Sequence, residues 1–135
     1  MRRFLIATHR SMAKGIKDTV DFFTGSAYDI RTLSAYIGSN DIEENELKSL
    51  LAKEADDEIV IFTDLASGSV TQKFYPYLEN KGIFLISGIN LPAVLSIVLC
   101  NEDRLTYDLI DQLLDEAKEQ LVQVKLLTDM HVDDE

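Results

Sequence analysis

The sequence is poor in cysteine and in basic residues, and both shortages exclude classes of protein. Its single cysteine, Cys100, cannot form an internal disulfide. We interpret that side chain as a buried small hydrophobic group in a reducing compartment. Of 135 residues, 13 are lysine or arginine and 24 are aspartate or glutamate, so the net charge is -11. Nucleic acid and anionic membrane surfaces would repel such a chain.

The sequence also lacks a long hydrophobic run. No segment approaches the roughly 20 apolar residues that a membrane-spanning helix needs. The polar residues 8–10 interrupt the short apolar stretch at the N terminus, which argues against a signal peptide. We therefore expect a cytoplasmic protein without direct membrane insertion. The length and the hydrophobic share of 46% suit one domain, expected at 1–128, followed by an acidic tail at 129–135.

Hydrophobic patterning predicts strands that alternate with helices. The predicted strands are 4–8, 30–37, 58–63 and 83–87. Five helices are predicted. The first covers 11–23 and the last covers 106–127. Of the three between them, one is capped by Asn40 or Asp41, one begins near Ser69 and one begins at Pro92. The end of the last helix stays open, because 122–126 alternates as a strand would. This order predicts an α/β fold, namely a single-domain, doubly wound, mostly parallel sheet.

Polar residues follow the predicted strands, where parallel sheets bind their ligands. They are His9 and Arg10 after the first strand, 38–40 after the second, Asp64 and Ser67-Gly68-Ser69 after the third, and Asn90 after the fourth. With strand order 2-1-3-4, His9 and Asp64 stand one strand spacing apart, about 4.8 Å. The carboxylate would orient the imidazole, and the helix start at Ser67–Ser69 would offer N–H groups to an anion. This combination suits a phosphohistidine.

Each of these features also has an ordinary structural interpretation. A histidine at a strand end is more often a loop residue, and Asp64 and Asn90 are both suitable helix caps. The Ser-Gly-Ser element is a weak motif by itself. His131 belongs to the acidic tail, and the acidic residues of the last helix have no paired histidine that would indicate a metal site. Convergence of three signals on one edge of the sheet favours the functional interpretation.

Three sequence blocks and the spacing between them carry a resemblance to a known family. The blocks are FLIATHRSMAKGI at 4–16, IVIFTDLASGSV at 59–70 and LISGINLPAVLSIV at 85–98. Together they resemble the mannose/fructose/sorbose-type enzyme IIA component of the bacterial phosphoenolpyruvate-dependent sugar phosphotransferase system (PTS), over nearly the whole chain. Two positions depart from the family pattern. Arg10 stands where glycine is common, and Ala66-Ser67-Gly68 replaces a Gly-Gly pattern.

The resemblance implies a phosphotransferase that works as a phosphocarrier. The residue matching His9 takes a phosphoryl group from phospho-HPr and passes it to enzyme IIB, while Asp64 holds the imidazole. The serine that matches Ser69 lies at the phosphate-binding helix start, which extends the anion site expected at Ser67, Gly68 and Ser69, and Arg10 and Asn90 become candidate rim or partner contacts. The family also implies sheet order 2-1-3-4, a homodimer that often exchanges a C-terminal strand, and a transporter complex with the membrane components IIC and IID. No metal or other cofactor is expected.

Other functions stay open on the sequence. The same fold serves as a regulatory module that senses phosphorylation without carrying flux. The Thr-Asp-Leu motif at 63–65 also resembles a motif in the phosphocarrier subunit of the dihydroxyacetone kinase system. A nucleotide-binding, flavodoxin-like domain is the third alternative, and the absence of a glycine-rich phosphate motif argues against it.

Overall fold

The computed structural model describes residues 1–36 and 42–127, which form a four-stranded parallel sheet between two layers of helices. The strands are β1 (Arg2–His9), β2 (Ile30–Ala35), β3 (Glu58–Thr63) and β4 (Ile83–Ile86). The helices are α1 (Met12–Thr24), α2 (Glu44–Leu51), α3 (Ser69–Phe74), α4 (Leu91–Val98) and α5 (Tyr107–Lys118), with a 3-10 helix at Tyr75–Glu79. The strand order is β2-β1-β3-β4, so the predicted fold class and strand order are confirmed.

The register of the central strands decides which side chains meet at the carboxyl end of the sheet. In β1, His9 pairs with Ala35 of β2, and Ala7 pairs with Thr63, the last residue of β3. Because all these strands run parallel, His9 and Asp64 leave the sheet at the same end and on neighbouring strands. The sheet therefore brings together the two residues on which the predicted site depends.

Side chains alternate across the sheet and divide the core into two clusters. One cluster packs α1, α4 and α5 against the sheet, and its largest fully buried members include Phe4, Ile6, Phe62 and Ile97. The other packs α2 and α3, with Leu47, Ile61 and Phe74 among its members. Burial of each such side chain contributes about 1.5–3 kcal/mol. Leu5 and Ala7 belong to the second cluster, so the period of two places His9 on the face covered by α2 and α3.

A polar network closes the opposite end of the sheet. Arg2 forms an ion pair of 2.9 Å with Glu58, and the second carboxylate oxygen of Glu58 accepts the Leu105 N–H at 2.8 Å. The Arg2 guanidinium also donates to the carbonyl of Cys100 at 3.0 Å. Cys100 itself is half-buried against the first cluster, so it is less enclosed than predicted. These contacts fix the connection between α4 and α5 far from His9.

Two element boundaries near α2 differ from the prediction. Strand β2 ends at Ala35 rather than at residue 37, because Tyr36 has a φ of 61°, which is incompatible with an extended strand. Helix α2 begins at Glu44 with Glu43 in the N-cap position and no capping side-chain hydrogen bond. The predicted caps Asn40 and Asp41 lie outside the described residues.

The last helix is shorter than predicted. It starts after Thr106, whose hydroxyl accepts the Leu109 N–H at 3.1 Å, and it ends at Lys118 rather than at residue 127. Residues 119–126 form neither helix nor strand. Beyond Ala117 the apolar side chains do not reach the core, and Leu121 and Val124 are 84% and 88% exposed. A helix without a packed face has little stability of its own. The predicted tail at 129–135 lies outside the described residues.

Candidate functional site

The His9 imidazole is joined to the carboxylate of Asp64. Oδ2 of Asp64 accepts the backbone N–H of His9 at 2.9 Å and lies 2.9 Å from Nδ1 of its ring. Oδ1 accepts the Leu65 N–H at 3.0 Å. An ionised carboxylate can only accept, so the ring proton belongs on Nδ1 and the lone pair on Nε2. The pair therefore leaves Nε2 as the nucleophilic atom.

The hydrogen bonds around Asp64 keep this carboxylate ionised. Burial, which leaves 11% of the side chain exposed, raises the pKa of Asp64. The N–H groups of the His9 backbone and ring, together with its own backbone, act in the opposite direction and outweigh burial. The pKa of Asp64 consequently lies below its ordinary value of 3.8. A fixed negative charge beside the ring stabilises positive charge that develops on the imidazole.

The loop before α3 lies against the edge of the imidazole at a glycine, Gly68. A Cβ at Gly68 would lie 3.3 Å from Cε1 of His9 and 3.2 Å from Cβ of Leu65. The Gly68 N–H donates to the carbonyl of Leu65 at 3.1 Å, and Gly68 is the N-cap residue of α3. The structure thus places Gly68 against His9 and Ser69 at the first position of α3. Ser67 is exposed on the loop between Leu65 and Gly68.

Tyr36 is the residue that sequence reasoning missed. Its ring stacks on the His9 imidazole, with centroids 5.3 Å apart and planes inclined by 23°. Its hydroxyl lies 2.7 Å from Oγ of Ser69. The predicted end of β2 is two residues too late, which put residues 38–40 at this position, and those residues lie outside the described part of the chain. An aromatic residue at the end of the strand beside β1 was the available signal.

The backbone on both sides of this stack is left-handed. Arg10 has a φ of 54° and Tyr36 a φ of 61°, values uncommon for residues with bulky side chains. The two segments are linked, since the Arg10 N–H donates to Ala35 O at 2.6 Å and the Arg10 guanidinium donates to Tyr36 O at 3.4 Å. Such conformations cost on the order of 1–3 kcal/mol and concentrate at functional sites. Arg10 therefore lies beside the segment that carries Tyr36, and its role as a rim or partner contact stays a prediction.

Two further polar residues at strand ends accept backbone N–H groups at helix starts. Oδ1 of Asn90 accepts the Ala93 N–H at 2.9 Å and caps α4, which is the structural interpretation of this residue. Oγ1 of Thr8 accepts the Ala13 N–H at 2.7 Å and ties the start of α1 to the strand that carries His9. Neither side chain shows a contact with the imidazole, so the structure brings together His9, Asp64, Gly68 and Ser69 but not Asn90.

Metal-ligand clusters and membrane-spanning helices can be checked for residues 1–36 and 42–127. In this part of the chain, no three His, Cys, Asp or Glu side chains cluster as metal ligands would. None of its helices has the length and hydropathy to cross a membrane.

The comparisons with known proteins concern the family and the fold. The family model of the PTS system fructose IIA component, of the EIIA-man type, matches residues 3–114. Among solved structures, a protein described as a phosphoenolpyruvate-dependent sugar PTS permease from Klebsiella pneumoniae is 32% identical, with a TM-score of 0.80 over 90% of each chain. The EIIA component from Streptococcus agalactiae is 25% identical, with a TM-score of 0.71 over 91% of this chain and 97% of its own.

A more distant structure shares the fold alone. The mannose/sorbose-specific IIA subunit from Enterococcus faecalis is 14% identical, with a TM-score of 0.74 over 93% of this chain and 96% of its own. No curated protein matches the sequence. The fold and the family model together identify a PTS IIA-type α/β domain. The chain belongs to the EIIA-man family, and its general role is phosphotransfer in a sugar PTS, with HPr and IIB-type proteins as the general partners of the family.

Proposed function

We propose that His9 is the phosphoryl acceptor, that phospho-HPr is the donor and that enzyme IIB is the next acceptor. The observation that carries this proposal is the geometry of the His9–Asp64 pair, in which the carboxylate occupies Nδ1 and leaves Nε2 available. The His9 side chain is 35% exposed, so a partner can reach it. Membership of the EIIA-man family supports the choice of partners.

The transfer step is an in-line displacement between two histidines. The Nε2 lone pair of His9 attacks the phosphorus of the donor phosphohistidine, and a new P–N bond forms. The donor's P–N bond breaks, and its electron pair returns to the donor imidazole. The proton on Nδ1 stays between the ring and Asp64, whose charge stabilises the positively charged phosphoimidazole. Such chemistry depends on positioning and electrostatics and needs no metal from this chain.

The loop beside the ring supports the assignment of an anion site. The first N–H groups of a helix have no partner within the helix, and α3 begins beside His9. We assign Ser67, Gly68 and Ser69 to the phosphoryl oxygens, with Arg10 as a positive charge on the rim. The domain at 1–128 would work in the cytoplasm, associated at the periphery with the membrane components IIC and IID.

A two-stage labelling experiment tests the carrier function. The full chain is incubated with labelled phosphoenolpyruvate, enzyme I and HPr, and phosphopeptide mapping should place the label on the peptide that contains His9. Isolated phosphoprotein is then mixed with a cognate enzyme IIB, and the label should leave this chain. A label that reaches His9 but no IIB protein would support the regulatory alternative instead, and a transfer to a dihydroxyacetone kinase would favour that system.

The exposed C-terminal segment supports a homodimer. In the described part of the chain, β4 is an edge strand and 119–126 pairs with no strand. The apolar side chains at 122, 124 and 126 share one face of an extended segment, and they are 64%, 88% and 74% exposed. Exposed apolar patches of this kind mark interfaces. We infer that this segment pairs with the β4 edge of a second copy, as the resemblance implies.

A charged substitution in this C-terminal segment tests the proposed dimer. Val124→Asp should raise the dimer dissociation constant by about tenfold or more, because a buried unpaired carboxylate is costly at an interface. Val124 is 88% exposed, so the single chain should fold as before. Gln123→Asp is the matched control on the opposite face of an extended segment. Sedimentation equilibrium measures both, and equal dissociation constants for the two variants would contradict the assignment.

A further inference from the structure

Tyr36 links the two halves of the site. Its ring lies on the His9 imidazole, and its hydroxyl lies 2.7 Å from Oγ of Ser69, at the first position of α3. Among the described residues, Tyr36 joins the face of the imidazole to the side chain of Ser69. A phenol in this position can influence the nucleophile and the anion site together.

We propose that Tyr36 is a positioning residue for phosphoryl transfer. Its ring holds the plane of the His9 imidazole, and its hydroxyl directs the hydroxyl of Ser69 toward the phosphoryl oxygens. This inference rests on the proposed function of His9 and names a residue that neither the resemblance nor the family comparison assigns.

The ring contact restrains a motion that the carboxylate leaves free. The hydrogen bond between Nδ1 and Asp64 fixes one edge of the imidazole, but the ring can still tilt about that contact. Tyr36 covers one face at a centroid distance of 5.3 Å, and Gly68 approaches Cε1 on the edge. With these three contacts, Nε2 keeps one direction relative to α3. In-line displacement depends on such alignment.

The hydroxyl contact determines where the proton of Ser69 points. A serine hydroxyl has one proton and two lone pairs. A phenol is a stronger acid than an alkyl alcohol, so Tyr36 is the better donor of the two. When Tyr36 donates to Ser69 Oγ, the proton of Ser69 is directed away from the phenol and toward a bound anion. Hydrogen bonds in such a chain strengthen one another.

The backbone of Tyr36 indicates that this placement is imposed. Its φ of 61° lies in the left-handed region, which is a genuine outlier for a bulky residue. The segment is held by pairing of β2 with β1 and by the Arg10 guanidinium, which donates to Tyr36 O. Strain of this kind persists only where surrounding contacts hold it, and it is typical of residues that have a role in a site.

Three single variants separate the ring from the hydroxyl. Tyr36→Phe keeps the ring and removes the hydroxyl, Tyr36→Leu removes both, and Ser69→Ala removes the acceptor of the hydroxyl. Tyr107→Phe is the matched control, because Tyr107 follows Leu105, whose N–H binds Glu58 at the opposite end of β3. Rapid-quench measurements with phospho-HPr give kcat and KM for each variant.

We expect Tyr36→Phe to lower kcat by about fivefold to tenfold with KM unchanged, because one oriented hydrogen bond is lost. Tyr36→Leu should lower kcat by about 30-fold to 100-fold, as loss of groups that orient a functional histidine does. The double variant Tyr36→Phe/Ser69→Ala should be no slower than Ser69→Ala alone, and Tyr107→Phe should match the wild type. Wild-type kcat in Tyr36→Leu, or losses that add in the double variant, would overturn the inference.

A nitrogen-15 NMR spectrum of the His9 imidazole tests whether Tyr36 orients the ring, and it requires no phosphoryl transfer. The wild type and Tyr36→Phe should show the same His9 ring signals, with the proton on Nδ1, while Tyr36→Leu should show shifted signals of a mobile ring. Unchanged signals in Tyr36→Leu would contradict the role of the ring. If the wild type accepts no label from phospho-HPr, the proposed function fails, whereas this spectrum still decides whether Tyr36 orients His9.

Discussion

Under the proposed function, replacement of His9 by glutamine should abolish phosphorylation by phospho-HPr, with an expected loss of about 10⁴-fold or more, because the variant has no imidazole nitrogen to attack phosphorus. A glutamine amide reaches a similar volume and can still donate a hydrogen bond to Asp64, so the sheet and both core clusters should remain intact. Labelling with phosphoenolpyruvate, enzyme I and HPr measures the loss, and thermal unfolding checks the fold.

The second histidine of the chain supplies the control for this experiment. His131 is the only other residue of its type, and it belongs to the acidic tail. His131→Gln should be labelled at the wild-type rate, because we assign no role to that residue. Label on the His9→Gln variant at a rate near the wild type, or its disappearance from His131→Gln, would move the phosphoryl acceptor away from His9.

The fold could be predicted from the sequence because β1, β3 and β4 contain nearly continuous apolar runs and β2 alternates. β3 is buried along its whole length, which is the pattern of a parallel strand covered on both faces. The order of strands and helices then leaves few arrangements, since crossovers in parallel sheets are right-handed. The position of His9 and Asp64 at neighbouring strand ends follows from that order, so the central pair of the site was within reach of sequence reasoning.

The aromatic residue beside the end of β1 was visible in the sequence, but its place on the imidazole depends on a backbone conformation that the sequence does not mark. The run 30–37 continues the alternation of a strand, and nothing in it marks the left-handed φ that ends β2 at Ala35. The end of α5 was missed for a related reason. Residues up to 127 keep apolar side chains at helical or alternating spacing, but only tertiary contact decides whether a helix persists, and these side chains contact no core within one chain.

The Asp64→Asn variant tests the electrostatic part of the site. Three N–H groups point at this carboxylate, from the His9 backbone, the His9 ring and the Leu65 backbone. A carboxylate accepts all three, whereas asparagine has a single acceptor oxygen and an NH₂ group that faces at least one of these donors. The proton on Nδ1 then has no reliable acceptor, and the ring can adopt the other tautomer. We expect transfer from phospho-HPr to slow by roughly 10²-fold or more.

The same variant has a pH signature in stability. The pKa of Asp64 is lowered in the folded protein, so the unfolded chain binds its proton at higher pH than the folded chain does. The ionised carboxylate therefore contributes stability that is fully present above about pH 3.8 and is lost as the pH falls through the lowered value. Urea unfolding should show that the wild type is more stable than Asp64→Asn above this window and that the difference shrinks below it.

Asp111→Asn is the matched control. Asp111 is exposed on α5, so this substitution makes the same chemical change at a position away from His9. It should leave both the transfer rate and the pH dependence of unfolding as in the wild type. A slow Asp64→Asn variant whose stability follows the wild type at every pH would mean that the carboxylate acts on the reaction without being held ionised by folding. A fast variant with altered stability would reduce Asp64 to the role of a structural cap. Only the combined loss of transfer rate and of this acid-sensitive stability supports a carboxylate that holds and charges the His9 ring.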